Sequence, residues 1–138
     1  MRYRSRAAIG ASATCLLLGF SGAAHGAEPA YVGMWSKTSV HCSTGQNRPG
    51  APMLVTASGF RQYHLECTFA KVDATSPGVW NIAATCTWNG TPTRMEMTWA
   101  VSGSAGDAGG GAALTLTDAA GTHVLNKCVV PPKPAATP

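Results

Sequence analysis

Apolar side chains recur at every second position in several short stretches of this chain, and no stretch keeps a helical period. The clearest example runs from Val79 to Trp88, and the members of its apolar face are Trp80, Ile82, Ala84, Cys86 and Trp88. Such alternation is typical of a strand that is buried on one side. Because breaks rich in glycine and proline separate these stretches, the chain has the pattern of an all-β domain.

The alternation predicts strands over residues 31–36, 53–56, 60–72, 79–88 and 91–102, and a last hairpin within 113–128 that turns at 118–121. Asn89-Gly90 is the strongest turn signal, since both residues tolerate the positive φ of a tight hairpin. Seven or eight short strands in this order predict a small up-and-down antiparallel β-barrel or a twisted sandwich. Closing the barrel would hide the edges that a flat sheet exposes.

Two faces of these strands are predicted to be internal. In the long strand 60–72, the residues of one face are Arg61, Tyr63, Leu65, Cys67 and Phe69, of which all but Arg61 can be buried. In the strand 91–102, the corresponding residues are Thr93, Met95, Met97, Trp99 and Val101.

The first 26 residues have the pattern of a secretory signal peptide, in which arginines precede an apolar run and small residues follow it. The apolar run, 7–20, is shorter than the roughly 20 residues of a membrane span. We therefore predict cleavage after Gly26, a single β domain over 27–128 and a disordered proline-rich tail over 129–138. The mature protein is expected in the periplasm or the medium, with no integral membrane segment.

Removal of the signal changes the charge of the protein. Three of the ten basic residues lie in the signal. The mature chain therefore has seven basic and six acidic residues and is close to neutral. Nucleic-acid binding needs a clustered positive face, whereas these seven are scattered. We expect no nucleic-acid partner.

Four cysteines remain after Cys15 leaves with the signal: Cys42, Cys67, Cys86 and Cys128. An even number in an exported chain predicts two disulfides, and no pair has the two-residue spacing of a zinc or redox motif. Four cysteines allow three pairings. We predict Cys42 with Cys67 and Cys86 with Cys128, while a hairpin between the two central strands would instead place Cys67 opposite Cys86.

The triplet Gly33-Met34-Trp35 resembles the G-x-W signature of calycin-type barrels, in which the tryptophan plugs the narrow end. The resemblance implies structural roles for Gly33 and Trp35, with Trp35 in the core. Calycin barrels pair this tryptophan with an arginine late in the chain. Here no arginine follows Arg94, so Lys127 is the residue that can take the place of the calycin arginine.

The layout of the mature chain also resembles short, uncharacterised exported proteins of rhizobia-like proteobacteria. Those proteins have Y-x-G-x-W near the start, four spaced cysteines and G-A-P before the second strand. The matching residues here are Tyr31, Gly33, Trp35, Gly50, Ala51 and Pro52. This resemblance implies a bacterial origin and no particular activity, whereas calycin-like secreted inhibitors of metalloproteases and lysozyme suggest binding of a protein.

Candidate chemistry is sparse. Met95 and Met97 lie on one strand face, and thioether sulfurs select Cu(I), although the same stripe is also ordinary for a barrel interior. The mature histidines His41, His64 and His123 have no metal-ligand spacing and are expected on the surface. The sequence predicts no cofactor.

No nucleophile motif, metalloprotease motif or close carboxylate pair is present in the chain. We therefore expect a non-catalytic exported binding module whose partner is another protein or a small apolar ligand. A periplasmic Cu(I) carrier that uses Met95, Met97 and a histidine is the alternative, and a hydrolase is the third.

Overall fold

A computed structural model describes residues 26–103 and 111–129, and these form a closed antiparallel barrel. The eight strands are β1 Gly33–Ser36, β2 Met53–Thr56, β3 Gly59–Gln62, β4 Leu65–Ser76, β5 Val79–Trp88, β6 Thr91–Ser102, β7 Ala113–Asp118 and β8 Gly121–Lys127. Each strand pairs with its neighbours in chain order, and β1 closes the barrel on β8. The predicted up-and-down barrel is confirmed over the sandwich.

The long connection between β1 and β2 contains a short 3-10 helix, Ser39–Ser43. Among the described residues, no helix has the length and apolar character needed to span a bilayer. The predicted signal, apart from Gly26, and the predicted tail, apart from Val129, lie outside the described residues.

The β5–β6 hairpin forms as predicted. Asn89 and Gly90 have φ values of 47° and 86°, which is the turn conformation that this dipeptide favours. The register pairs Trp80 with Trp99 and Ile82 with Met97, so these side chains share the inner face of the barrel.

The stretch 60–72 is two strands rather than the single long strand predicted. β3 ends at Gln62 and β4 begins at Leu65, with the turn at Tyr63 and His64. His64 takes a left-handed φ of 57°, which few residues other than glycine and asparagine adopt. The predicted face is therefore wrong for Arg61 and Tyr63, because the chain reverses direction between Arg61 and Leu65, whereas Leu65, Cys67 and Phe69 share the inner face of β4 as predicted.

The disulfides join Cys42 to Cys128 and Cys67 to Cys86, so the predicted pairing is wrong. In the β4–β5 ladder Cys67 lies directly opposite Cys86, with the Cα atoms 4.0 Å apart. Barrel closure brings the end of β8 beside β1 and the 3-10 helix that carries Cys42. The alternative arrangement of the two central strands is the correct one.

The β1–β8 seam is short. It contains two residue pairs, Trp35 with Lys127 and Ser36 with Asn126. The backbone N–H of Cys128 extends it by donating to the Met34 carbonyl at 2.8 Å. Because the Cys42–Cys128 bond lies at the end of this seam, it ties β8 to the segment that follows β1.

Trp35 is the main buried side chain of β1. It is completely buried, and its indole Nε1 donates to the Tyr31 carbonyl at 2.8 Å. The Lys127 Nζ lies 5.2 Å from the centre of the Trp35 ring and donates to the Val32 carbonyl at 3.2 Å. The predicted place of Lys127 beside this tryptophan is confirmed, and the contact has the geometry of a cation–π interaction.

Gly33 leaves room for that lysine. Its φ is 140°, a conformation that residues with a side chain rarely adopt, and a Cβ atom there would lie 2.9 Å from the Lys127 Cε. Gly33 thus leaves space for the Lys127 side chain, which packs over the Trp35 ring.

Candidate functional site

One end of the barrel interior is filled by aromatic side chains. The aromatic plug consists of Tyr31, Phe60, Phe69, Trp80 and Trp99. Trp99 is completely buried, and its ring centre lies 5.7 Å from that of Tyr31 and 5.5 Å from that of Phe60. Edge-to-face and tilted packing of this kind adds stability beyond the area buried. The plug closes the end of the barrel at which β1 begins.

The plug includes polar groups, among them the Tyr31 phenol and the Trp99 indole N–H. Burial raises the pKa of the Tyr31 phenol above its ordinary value, because the charged phenolate is poorly solvated there. The Trp99 indole N–H is buried and has no hydrogen-bond partner among the described residues. Since Trp99 does not line the cavity described next, this N–H offers no contact to a ligand there.

The opposite end of the interior contains a cavity of about 260 Å³, which we call the open-end cavity. Its walls are apolar and come from most of the strands. The wall residues are Met53 and Phe60 from β2 and β3, Leu65 from β4, Met95 and Met97 from β6, and Leu116 and Leu125 from β7 and β8. Leu65, Met95 and Leu116 are half-buried, whereas the other wall side chains are buried.

Polar side chains form the rim of the open-end cavity: Lys37, Gln62, Asp118 and His123. The Asp118 carboxylate accepts a hydrogen bond from the Ala120 backbone N–H at 2.8 Å, so it also holds the β7–β8 turn. Lys37 and Asp118 carry opposite charges, and the rim has no net charge when His123 is neutral. An apolar chamber with a few convergent polar groups is the usual form of a small-molecule site.

A larger groove, of about 520 Å³, lies on the outside of the barrel beside the Asn89-Gly90 turn. Its walls are mainly polar and include Gln46, Arg61 and Glu66. Water solvates such walls well, so that displacing it gains little free energy. The apolar interior cavity is therefore the stronger candidate site.

The structure places around one cavity residues that the sequence analysis did not group together. Met95 and Met97 share the inner face of β6, as predicted, and line the open-end cavity. Met53 and His123 line it too, although the sequence analysis did not associate them with this pair. The available signals were the alternation of β2, which points Met53 inward, and the pairing of His123 with Leu116 in the last hairpin.

The three histidines are exposed, as predicted, and occupy separate places. His41 lies in the 3-10 helix, His64 in the β3–β4 turn and His123 on β8. His123 was expected on the surface, but its side chain also lines the mouth of the open-end cavity. The neighbouring Val124, which is 56% exposed, faces solvent on the outside of the barrel. Within residues 26–103 and 111–129, no cluster of three or more histidine, cysteine or acidic side chains is arranged to hold a metal ion.

Comparison with protein-family models, curated proteins and solved structures finds no match for this chain. The resemblances to calycin-type barrels and to exported proteins of rhizobia-like bacteria remain predictions. The functional argument therefore starts from the side chains of the open-end cavity.

Proposed function

We propose that this protein is an exported, non-catalytic binding module that holds a small apolar ligand in the open-end cavity. The observation that carries the proposal is the asymmetry of the barrel, which is packed with aromatic rings at one end and has the open-end cavity at the other. The signal-like amino terminus and the two disulfides support export to the periplasm or the medium.

The size and polarity of the open-end cavity define the class of ligand. Its volume of about 260 Å³ equals that of about nine water molecules at about 30 Å³ each. A single aromatic ring system or a short branched chain fits this space. Lys37, Gln62, Asp118 and His123 would face one polar end of the ligand, whereas its apolar body would contact leucine and methionine side chains.

A protein partner is supported less well. Trp88, beside the Asn89-Gly90 turn, is 54% exposed, and tryptophan is common among the residues that dominate protein interfaces. A single exposed aromatic residue is nevertheless ordinary on a soluble protein. The cavity, by contrast, combines apolar walls with a polar rim, which favours a small molecule over a protein.

Filling the cavity should abolish ligand binding. The change is Leu116→Trp, which places an indole in the β7 wall where Leu116 is half-buried. We expect the wild-type protein to bind 2-naphthol saturably with one site, and the variant to bind it more weakly by at least about tenfold, or about 1.4 kcal/mol. The measurement is a fluorescence titration with the disulfides intact.

The control is Val124→Trp, which adds the same side chain to the outer face of β8, where Val124 is 56% exposed. It should bind 2-naphthol as the wild type does. Circular dichroism of both variants verifies the barrel. Equal binding by Leu116→Trp and the wild type, with the fold intact, would place the ligand elsewhere and refute the proposal.

A further inference from the structure

We propose that the open-end cavity also binds one Cu(I) ion through the thioether sulfurs of Met53, Met95 and Met97, with the imidazole of His123 as the ligand at the mouth. Each of these four side chains lines the same cavity. The site differs from the sequence-based alternative, which used Met95, Met97 and an unspecified histidine, because it adds Met53 and assigns the histidine as His123.

The barrel topology explains how the methionines meet. Met95 and Met97 point inward from one strand, because side chains two positions apart share a face. Met53 comes from β2, which lies four strands from β6 in either direction around the barrel. The interior of an eight-stranded barrel is wide enough for side chains or for one small ligand, so side chains from opposite walls can reach the same cavity.

Methionine suits this convergence better than other apolar residues. Its unbranched side chain has three rotatable bonds, so the sulfur can move toward an ion without a shift of the backbone. Met53 and Met97 are buried in the cavity wall, and Met95 is half-buried. All three methionines therefore line one cavity, two from buried positions and one from a half-buried position.

His123 lies where an entering ion would pass. It pairs with Leu116 across the β7–β8 ladder, and both side chains line the cavity. As an exposed residue at the rim, it offers a ring nitrogen from the solvent side. Three thioethers and one imidazole would supply a four-coordinate ligand set.

This ligand set selects a soft monovalent ion. Thioethers are neutral, soft donors that favour Cu(I), whereas Zn²⁺ prefers thiolate, imidazole and carboxylate. The four cysteines of the barrel are held in disulfides and provide no competing thiolate. On the rim, Asp118 offers a compensating negative charge and Lys37 an opposing positive one, so the field at the mouth is close to balanced.

The distribution of methionines supports a shared role. Four methionines lie within the described residues, and three of them line this one cavity, whereas Met34 does not. Met34 alternates with Trp35 on β1, and Trp35 faces the core. Met34 therefore faces away from the cavity and provides a matched control.

The test is an anaerobic titration of the mature, disulfide-bonded protein with Cu(I), in competition with the chelator bicinchoninate. We expect the wild type to hold one Cu(I) and the variant with Met53→Leu, Met95→Leu and Met97→Leu to bind it more weakly by over about 100-fold, since losing outer-shell partners alone can weaken metal binding about that much. Leucine keeps the volume and apolar character of methionine, so the barrel should fold. Met34→Leu should bind Cu(I) as the wild type does.

X-ray absorption of the copper-loaded protein provides a second measurement, with sulfur neighbours expected around the metal. The proposal is overturned if the triple variant and the wild type bind Cu(I) equally, or if the copper has only nitrogen and oxygen neighbours. The Cu(I) site shares the cavity with the apolar ligand but does not depend on it. Titrating the wild type separately with Cu(I) and with 2-naphthol therefore distinguishes failure of one proposal from failure of the other.

Discussion

Replacing Trp35 by alanine should lower the free energy of unfolding by about 3–5 kcal/mol, the usual loss for a fully buried aromatic residue. The side chain is 0% exposed and is held by a hydrogen bond to the Tyr31 carbonyl and by the Lys127 ammonium. Its loss would leave a void in β1, which closes the barrel through only two residue pairs with β8. Urea unfolding followed by far-ultraviolet circular dichroism measures the change.

Trp88→Ala is the matched control for this substitution. Trp88 is 54% exposed at the end of β5, so its removal should change the stability by about 1 kcal/mol or less, as is common for surface positions. A second variant, Trp35→Phe, keeps a ring but removes the donor to Tyr31, and should fall between the two. If Trp35→Ala and Trp88→Ala lose equal stability, Trp35 is not the centre of the β1 packing.

Removing the Cys42–Cys128 disulfide should lower the free energy of unfolding by about as much as Trp35→Ala. The variant with Cys42→Ala and Cys128→Ala opens a loop of 86 residues, and the chain-entropy relation gives a loss of about 4.5 kcal/mol. The same relation gives about 3 kcal/mol for the 19-residue loop of Cys67 and Cys86. Chemical denaturation of each double variant tests these losses.

Loss of the two disulfides should also destabilise different parts of the barrel. Without Cys42–Cys128, the β1–β8 seam should open locally, and the backbone N–H of residue 128 should exchange with solvent well before the amides of the β5–β6 hairpin. The variant with Cys67→Ala and Cys86→Ala should keep the seam amide among the protected ones. Equal protection at residue 128 in the two variants would show that the disulfide does not hold the seam.

The strands that the sequence predicts well are those with an unambiguous turn between them. Asn89-Gly90 determines the β5–β6 hairpin, and the alternation on either side orients Ile82 and Met97 toward the interior. The β3–β4 turn has no such signal. Because His64 adopts positive φ without being glycine or asparagine, the alternation in the sequence continues through the turn and does not reveal it.

The disulfide pairing depends on closure, which spacing along the chain does not encode. Cys42 and Cys128 are 86 residues apart and meet only because β8 returns to β1. Cys67 and Cys86 could have been paired from the hairpin register once the turn after β4 was placed. Because only Cys42 and Cys128 then remain, the β4–β5 register would have determined both bonds, and the sequence analysis left that register as an alternative.

The candidate site also could be predicted only in part, because its residues come from strands that are far apart in the sequence. Met95 and Met97 are neighbours on one strand, and their common face follows from alternation alone. Met53 and His123 come from β2 and β8, and no local pattern links them to β6. Only a closed barrel places all four side chains around one chamber, and only the packed plug shows which end remains hollow.

The most direct test of a hollow, ligand-binding barrel end is methyl NMR of the mature protein labelled with ¹³C-methyl methionine. As 2-naphthol is added, the account expects the methyl signals of Met53, Met95 and Met97 to shift together and saturate, because these side chains line the cavity. The Met34 signal should stay in place. A saturable shift of Met34 alone, or unshifted cavity methyls while 2-naphthol binds, would contradict the account.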